Sequence, residues 1–160
     1  MSNTKDDFQL VKLIQKLEIF RDLNREEALK VLQMCQRRSY AANEVVWNPG
    51  DSGEDMLVLL SGKLHVKDKA GALIGEVLPG ASFGEMACLS GSPRFVGFVA
   101  VEPSTALCLM RMTLRALTSS DPNLYVRILE TTIKVLALRI SRSRSEQASD
   151  ETEQGGLSSW

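Results

Sequence analysis

The stretch FGEMACLSGSPRFVGFVA, residues 83–100, sets two opposite charges, Glu85 and Arg94, among apolar and small neighbours. A charge embedded in an apolar run is costly unless it meets a partner. Gly84, Gly91, Gly97 and Ala87 keep side chains clear, so that backbone N–H groups can approach something closely. Residues 84–89, just after a turn at Pro79-Gly80, read as one short helical turn, and the N-terminal end of a helix favours an anion. One arginine, one carboxylate and a run of unencumbered N–H groups suit a phosphate beside a sugar hydroxyl. The plainer alternative is that Glu85 and Arg94 pair with each other as a structural bridge.

Outward from this stretch, the flanking segments read as short strands. Glu44–Trp47 ends at the turn cluster Asn48-Pro49-Gly50-Asp51, and Asp55–Leu60 is an almost continuous apolar run, as expected of a strand covered on both faces. Ser61-Gly62 turns the chain into Lys63–Lys67, which alternates polar and apolar, and Leu73–Leu78 follows a turn over 68–71. Phe95–Val101 and Ala106–Met110 complete the set. Many short strands with glycine-rich turns at close spacing indicate an antiparallel sandwich or jelly roll.

Helical spacing appears at both ends. Residues 7–18 carry Phe8, Val11, Leu13, Ile14 and Leu17 on one face. Asn24 can cap a second helix that reaches about Arg37, with Glu26 and Glu27 in its first turn. Thr113 can cap a short helix over Leu114–Thr118. Asp121-Pro122 starts a long helix to about Arg144. That helix has two apolar seams, Leu124, Ile128, Val135 and Leu138, and Leu129, Ile133, Leu136 and Ile140. One seam can cover the strands, and the other suits the same helix of a second subunit, giving a homodimer through 122–144. Residues 146–160 are acidic and polar and are expected to be a disordered tail, leaving 1–145 as one domain.

The 160 residues suffice for one full core, and 44% hydrophobic with 24% charged residues is ordinary for a globular chain. A net charge of −1 gives no support to nucleic acid or membrane as a partner. No apolar run is long enough to span a membrane and the N-terminus is polar, so a cytoplasmic location is expected. Cys35, Cys88 and Cys108 are scattered among apolar neighbours and read as reduced thiols rather than disulfides or metal ligands. His65 is the one histidine and lies on a polar-alternating face. No nucleophile elbow, zinc spacing, P-loop or paired-carboxylate motif is found. The chain reads as a binding protein, not an enzyme, with no catalytic residue and no metal site.

The pattern F-G-E-x-A over 83–87, then G-x-P-R over 91–94 and Ala100 six residues on, resembles the phosphate-binding cassette of the cyclic-nucleotide-binding domain. That domain occurs in catabolite activator proteins, protein kinase A regulatory subunits and cyclic-nucleotide-gated channels. The resemblance covers about Leu10–Arg142, as pattern more than identity outside the cassette. It implies an α+β fold: an antiparallel β-roll (jelly roll) flanked by N-terminal helices and a long C-terminal helix. It implies a cyclic nucleotide as ligand, with Glu85 taking the ribose 2′-hydroxyl and Arg94 the cyclic phosphate. Backbone N–H groups near Gly84, Ala87 and Phe95 would assist, and the ligand-binding set is Gly84, Glu85, Met86, Ala87, Pro93, Arg94, Phe95 and Val96. In the family, guanine preference goes with a hydroxyl residue after the arginine, so Phe95 implies cAMP over cGMP.

The resulting expectation is a stand-alone cAMP sensor whose C-terminal helix moves on binding. The chain ends too soon after that helix to hold a helix-turn-helix, so a DNA-binding output is not expected and the downstream protein is unknown. Phe95 replaces a small or hydroxyl residue, and Gly97-Phe98 replaces a small-or-hydroxyl and branched pair. Those departures support an alternative, a degenerate roll that serves only as a dimerising interaction module.

Overall fold

The computed structural model describes residues 16–155, with side chains described as far as Ser145. Helix α1 (Arg25–Met34) begins at Asn24, whose Oδ1 accepts from the Glu27 N–H at 3.0 Å. Glu27 Oε2 accepts in return from the Asn24 N–H at 2.9 Å, so two otherwise orphaned donors are satisfied. The expected helix at 7–18 lies outside the described residues up to position 15, and Lys16–Asp22 is turns and bends. The reason is tertiary: Leu17, Ile19, Phe20 and Leu23 all enter the core, while the Glu18 N–H donates to Gly80 O at 2.9 Å. Helix α1 also stops at Met34 instead of Arg37. Strand β1 (Gln36–Tyr40) takes over, and its mostly exposed, polar side chains carry no alternation that would reveal it.

The remaining strands are β2 (Val45–Trp47), β3 (Asp55–Ser61), β4 (Leu64–Lys67), β5 (Leu73–Val77), β6 (Ser82–Phe83), β7 (Gly97–Ala100) and β8 (Ser104–Met110). They form two four-stranded antiparallel sheets in the orders β1-β8-β3-β6 and β2-β7-β4-β5. Turns fall at Gly50, Gly62 and Gly80, as the sequence suggests. Strand β3 is buried on both faces because each face has its own cover. Leu57 and Leu59 join Leu64, Phe83, Phe98, Ala106 and Cys108 between the sheets. Met56 and Val58 face the opposite way, into a second core with α1 and the C-terminal helices. A strand with two apolar environments needs apolar residues at every position, which accounts for the unbroken run.

Helix α2 (Glu85–Ser90) interrupts the roll between β6 and β7. Helix α3 (Arg111–Ser120) follows β8 directly and starts two residues before the expected cap at Thr113. Helix α4 (Pro122–Gly155) starts as its sequence demands, with Asp121 Oδ1 accepting from the Leu124 N–H at 3.1 Å. Leu124, Ile128, Thr131, Thr132 and Val135 are all buried against the body. Leu138, assigned to this inward seam from spacing, is 48% exposed. From Val135 a helical face continues four residues on, so Arg139 takes the inward position instead. The helix also continues to Gly155 through the segment expected to be a tail from 146; no proline or glycine intervenes, and Glu, Gln and Ala sustain a helix.

Gly53 shows how closely the loop before β3 packs on α2. A Cβ there would lie 2.6 Å from both Ala87 Cβ and Ser92 O, and 2.9 Å from the Ala87 carbonyl carbon. Gly53→Ala is therefore expected to cost about 1–3 kcal/mol by overpacking, read from chemical denaturation. Unchanged stability would mean that α2 is free to shift away from the loop.

Candidate ligand-binding site

Helix α2 starts at Gly84, whose φ of 80° is in the left-handed region that favours glycine. A Cβ at this position would also meet Arg94 Nη1 and Trp47 Cη2, each at 2.7 Å. Glycine thus brings the helix start, the arginine and the indole together. Glu85 is 2% exposed and Arg94 is 4% exposed. Both line a cavity of about 820 Å³ between the second sheet, α2 and α4. That size lies within the ~300–1,000 Å³ typical of small-molecule sites.

The two cassette charges do not bond to each other. Arg94 Nη2 bonds Asp55 Oδ1, and Arg94 Nη1 donates to Asp55 O at 2.7 Å and Gly84 O at 3.1 Å. Its Cζ lies 3.7 Å from the Trp47 ring centroid, a cation–π arrangement. Asp55 Oδ2 accepts in addition from Arg38 Nη1 at 2.5 Å. The backbone locks the same segment: Arg94 N–H donates to Asp51 O, and Gly50 N–H to Arg94 O, both at 2.8 Å. Glu85 Oε1 bonds Arg139 Nη1 from α4. Arg139 Nη2 also reaches Glu18 Oε2 at 2.5 Å and Ser82 O at 2.6 Å.

Of the eight residues singled out from the sequence, Gly84, Glu85, Met86, Ala87, Arg94, Phe95 and Val96 line the cavity. Pro93 is exposed and is absent from the lining. Phe95 is 51% exposed at the wall and Met86 54% exposed. The sequence reading missed Asp55, Trp47, Leu136, Arg139 and Ile140. Arg139 had a signal, an arginine on the extension of an apolar stripe. Asp55 had one too, a carboxylate opening an apolar run. Trp47 had none, since an aromatic residue at the end of a strand is ordinary core.

Of the thiols, Cys108 donates from Sγ to Asp55 Oδ2 at 3.5 Å, on the carboxylate that holds Arg94. Burial pushes Cys35 and Cys108 to about 12 and Cys88 to about 11, so all three remain protonated at neutral pH. Among the described residues no group of three or more His, Cys, Asp or Glu can hold a metal ion, and no helix is long and apolar enough to cross a membrane.

Comparison with known proteins agrees with this geometry. Residues 37–121, more than half the chain, match the family model of the cyclic nucleotide-binding domain. The chain is 32% identical over 107 residues to the cAMP-dependent protein kinase regulatory subunit of Yarrowia lipolytica, covering 66% of this chain and 28% of that one. The chain spans less than half the length of the curated relatives it matches. A crystal structure of a cyclic nucleotide-binding domain from Methylobacillus flagellatus superposes with a TM-score of 0.79 at 26% identity, covering 91% of this chain and 84% of that one. The regulatory domain of Toxoplasma gondii protein kinase A, solved with cAMP, gives 0.63 at 25% identity over 72% of this chain and 46% of its own. With the two-sheet roll, the cassette and the matched model all in agreement, the chain belongs to the cyclic nucleotide-binding domain family.

Proposed function

We propose that this chain is a cAMP-responsive regulatory module in which the ligand exchanges the internal partners of the cassette and thereby releases α4. The carrying observation is that one cavity wall joins Glu85 and Arg94 to Leu136, Arg139 and Ile140 of α4. A cyclic phosphate in this cavity draws Arg94 from Asp55, and a ribose 2′-hydroxyl donates to Glu85. Arg139 holds the same carboxylate, so hydroxyl and guanidinium compete for it. Binding then biases α4 toward a second position by the difference in its affinity for the two states. Phe95, at the wall with no hydroxyl, can stack on adenine and offers no partner to the extra amine of guanine. Free, protonated thiols fit a reducing, cytoplasmic setting.

Helix α4 also carries an outward seam. Val126 and Ile133 are 50% and 65% exposed at seven-residue spacing with half-buried Leu129 between them, and the stripe runs on to Leu136 and Ile140 where the helix borders the cavity. That is the pattern of a two-stranded coiled coil, and the occupant we assign is a second copy of this chain. The dimer connects a released α4 to a partner protein through a shared helix pair.

Calorimetric titration is expected to show cAMP binding more tightly than cGMP. Arg94→Ala should weaken cAMP by roughly thirtyfold or more, for loss of a charge-assisted contact to a mostly desolvated phosphate. Glu85→Ala should erode discrimination against 2′-deoxy-cAMP. Heat with neither nucleotide would leave the roll as a dimerising module, and unchanged affinity in folded Arg94→Ala would remove the phosphate assignment.

Arg139→Gln should tighten cAMP binding by about fivefold or more, the lower end of ordinary coupling, because the competitor for Glu85 is weakened. Weaker binding in that variant would make Arg139 a ligand contact instead. Replacing Val126 and Ile133, both clear of the cavity, with serine should convert the dimer to monomer in light scattering; a wild type already monomeric at high concentration would refute the seam.

A further inference from the structure

Among the described residues, only two buried side-chain nitrogens or oxygens lack a hydrogen-bond partner: Trp47 Nε1 and Arg94 Nε. They are neighbours, since the Arg94 guanidinium lies over the Trp47 ring at 3.7 Å. Buried donors without partners are rare, and each carries a desolvation cost. Two such donors stacked together on one cavity wall, the cation among them, mark a place built for an acceptor. Trp47 is 7% exposed and belongs to the cavity lining. The indole edge bearing Cζ2, the carbon two bonds from Nε1, faces Gly84 at the start of α2: a Cβ there would lie 2.9 Å from Cζ2. Phe83 and Phe98 pack against the ring, with centroids 5.3 and 5.1 Å away, and against each other at 5.0 Å. The ring is therefore a fixed plate with one unspent donor.

We infer that Trp47 is a ligand-contacting residue: its Nε1–H donates to the anionic group that Arg94 takes up, and its face fixes the plane in which the guanidinium travels. The inference rests on the cyclic-nucleotide reading above and adds to it a residue that the cassette does not contain. Nε1 is closed off in the present state, with the guanidinium on the ring's face. The contact forms as Arg94 leaves Asp55, and both orphaned donors are then satisfied in one step. The ligand class is a phosphate diester monoanion, whose two free oxygens can serve two donors at once.

The chain has two tryptophans, Trp47 and Trp160, so a ¹⁵N-labelled sample gives two indole N–H resonances, and Trp47→Phe assigns them. With cAMP as the probe, the Trp47 indole proton is expected to move downfield as a donor to an anion does. In calorimetry, Trp47→Phe keeps the aromatic face and should weaken cAMP about tenfold or more, while leaving any binding of adenosine, which has no phosphate, unchanged. A stationary indole resonance at saturating cAMP, or equal affinity in folded Trp47→Phe, overturns the role of Trp47 alone. Absence of cAMP binding by the wild type overturns that role and the cyclic-nucleotide reading together. Should Trp47→Phe fail to fold, Trp160→Phe assigns the two resonances and the Trp47 resonance then decides by itself.

Discussion

A guanidinium enclosed to 4% exposure has to find a carboxylate, and Arg94 finds Asp55. Removing one member of a buried pair of this kind is far costlier than replacing both. The pairing therefore dictates where the loop around Arg94 can lie relative to β3. The reciprocal backbone bonds of Arg94 with Asp51 and Gly50 hold that loop in the same place. Gly84 then has to be glycine, because Arg94 and Trp47 fill the space its side chain would need. Position by position, the cassette is arranged around one buried charge.

The second buried charge fixes the other end. Glu85 draws Arg139 inward from α4, and Arg139 extends to Glu18 and to both oxygens of Ser82. Three distant parts of the chain, the N-terminal turn, β6 and the C-terminal helix, meet at one guanidinium. Nearer its start α4 is held by the buried Leu124, Ile128 and Val135 together with polar contacts: Arg127 Nε lies 3.4 Å from Glu27 Oε1, and Asp22 Oδ2 accepts from Thr131 Oγ1 at 3.5 Å and from Lys134 Nζ at 3.3 Å. Of these polar contacts, those of Arg139 are the ones that border the cavity.

Much of the fold was legible because its signals are local. The unbroken run of β3, the turns at Gly50, Gly62 and Gly80 and the Asp121-Pro122 start each follow from nearby residues. Strand β1 was not, since its polar side chains are set by pairing with β8, a partner some seventy positions away. Strand β6, of two residues, has no period to detect. The site was half legible for a related reason. Glu85 and Arg94 stand out as charges in an apolar stretch, but their partners Arg139 and Asp55 come from other elements, and spacing alone put Leu138 where Arg139 sits.

The two partners that a ligand would displace are each doubly held, which bears on how readily the exchange can occur. Were Arg94 to turn to an anion, as proposed, Asp55 would keep Arg38, now at 2.5 Å, and would not be left as an orphaned buried carboxylate. Were a hydroxyl to take Glu85, Arg139 would keep Glu18, now at 2.5 Å, and the Ser82 carbonyl, now at 2.6 Å. An unpartnered buried charge costs several kcal/mol, enough to erase most of the gain from a new phosphate contact. On the proposed exchange neither displaced group would incur that cost. A bridge made only of Glu85 and Arg94 would lack this property, because opening it without a ligand would strand both charges at once. The shared carboxylate at Asp55 and the forked contacts of Arg139 mean that either Arg94 or Glu85 could change partner without stranding a buried charge.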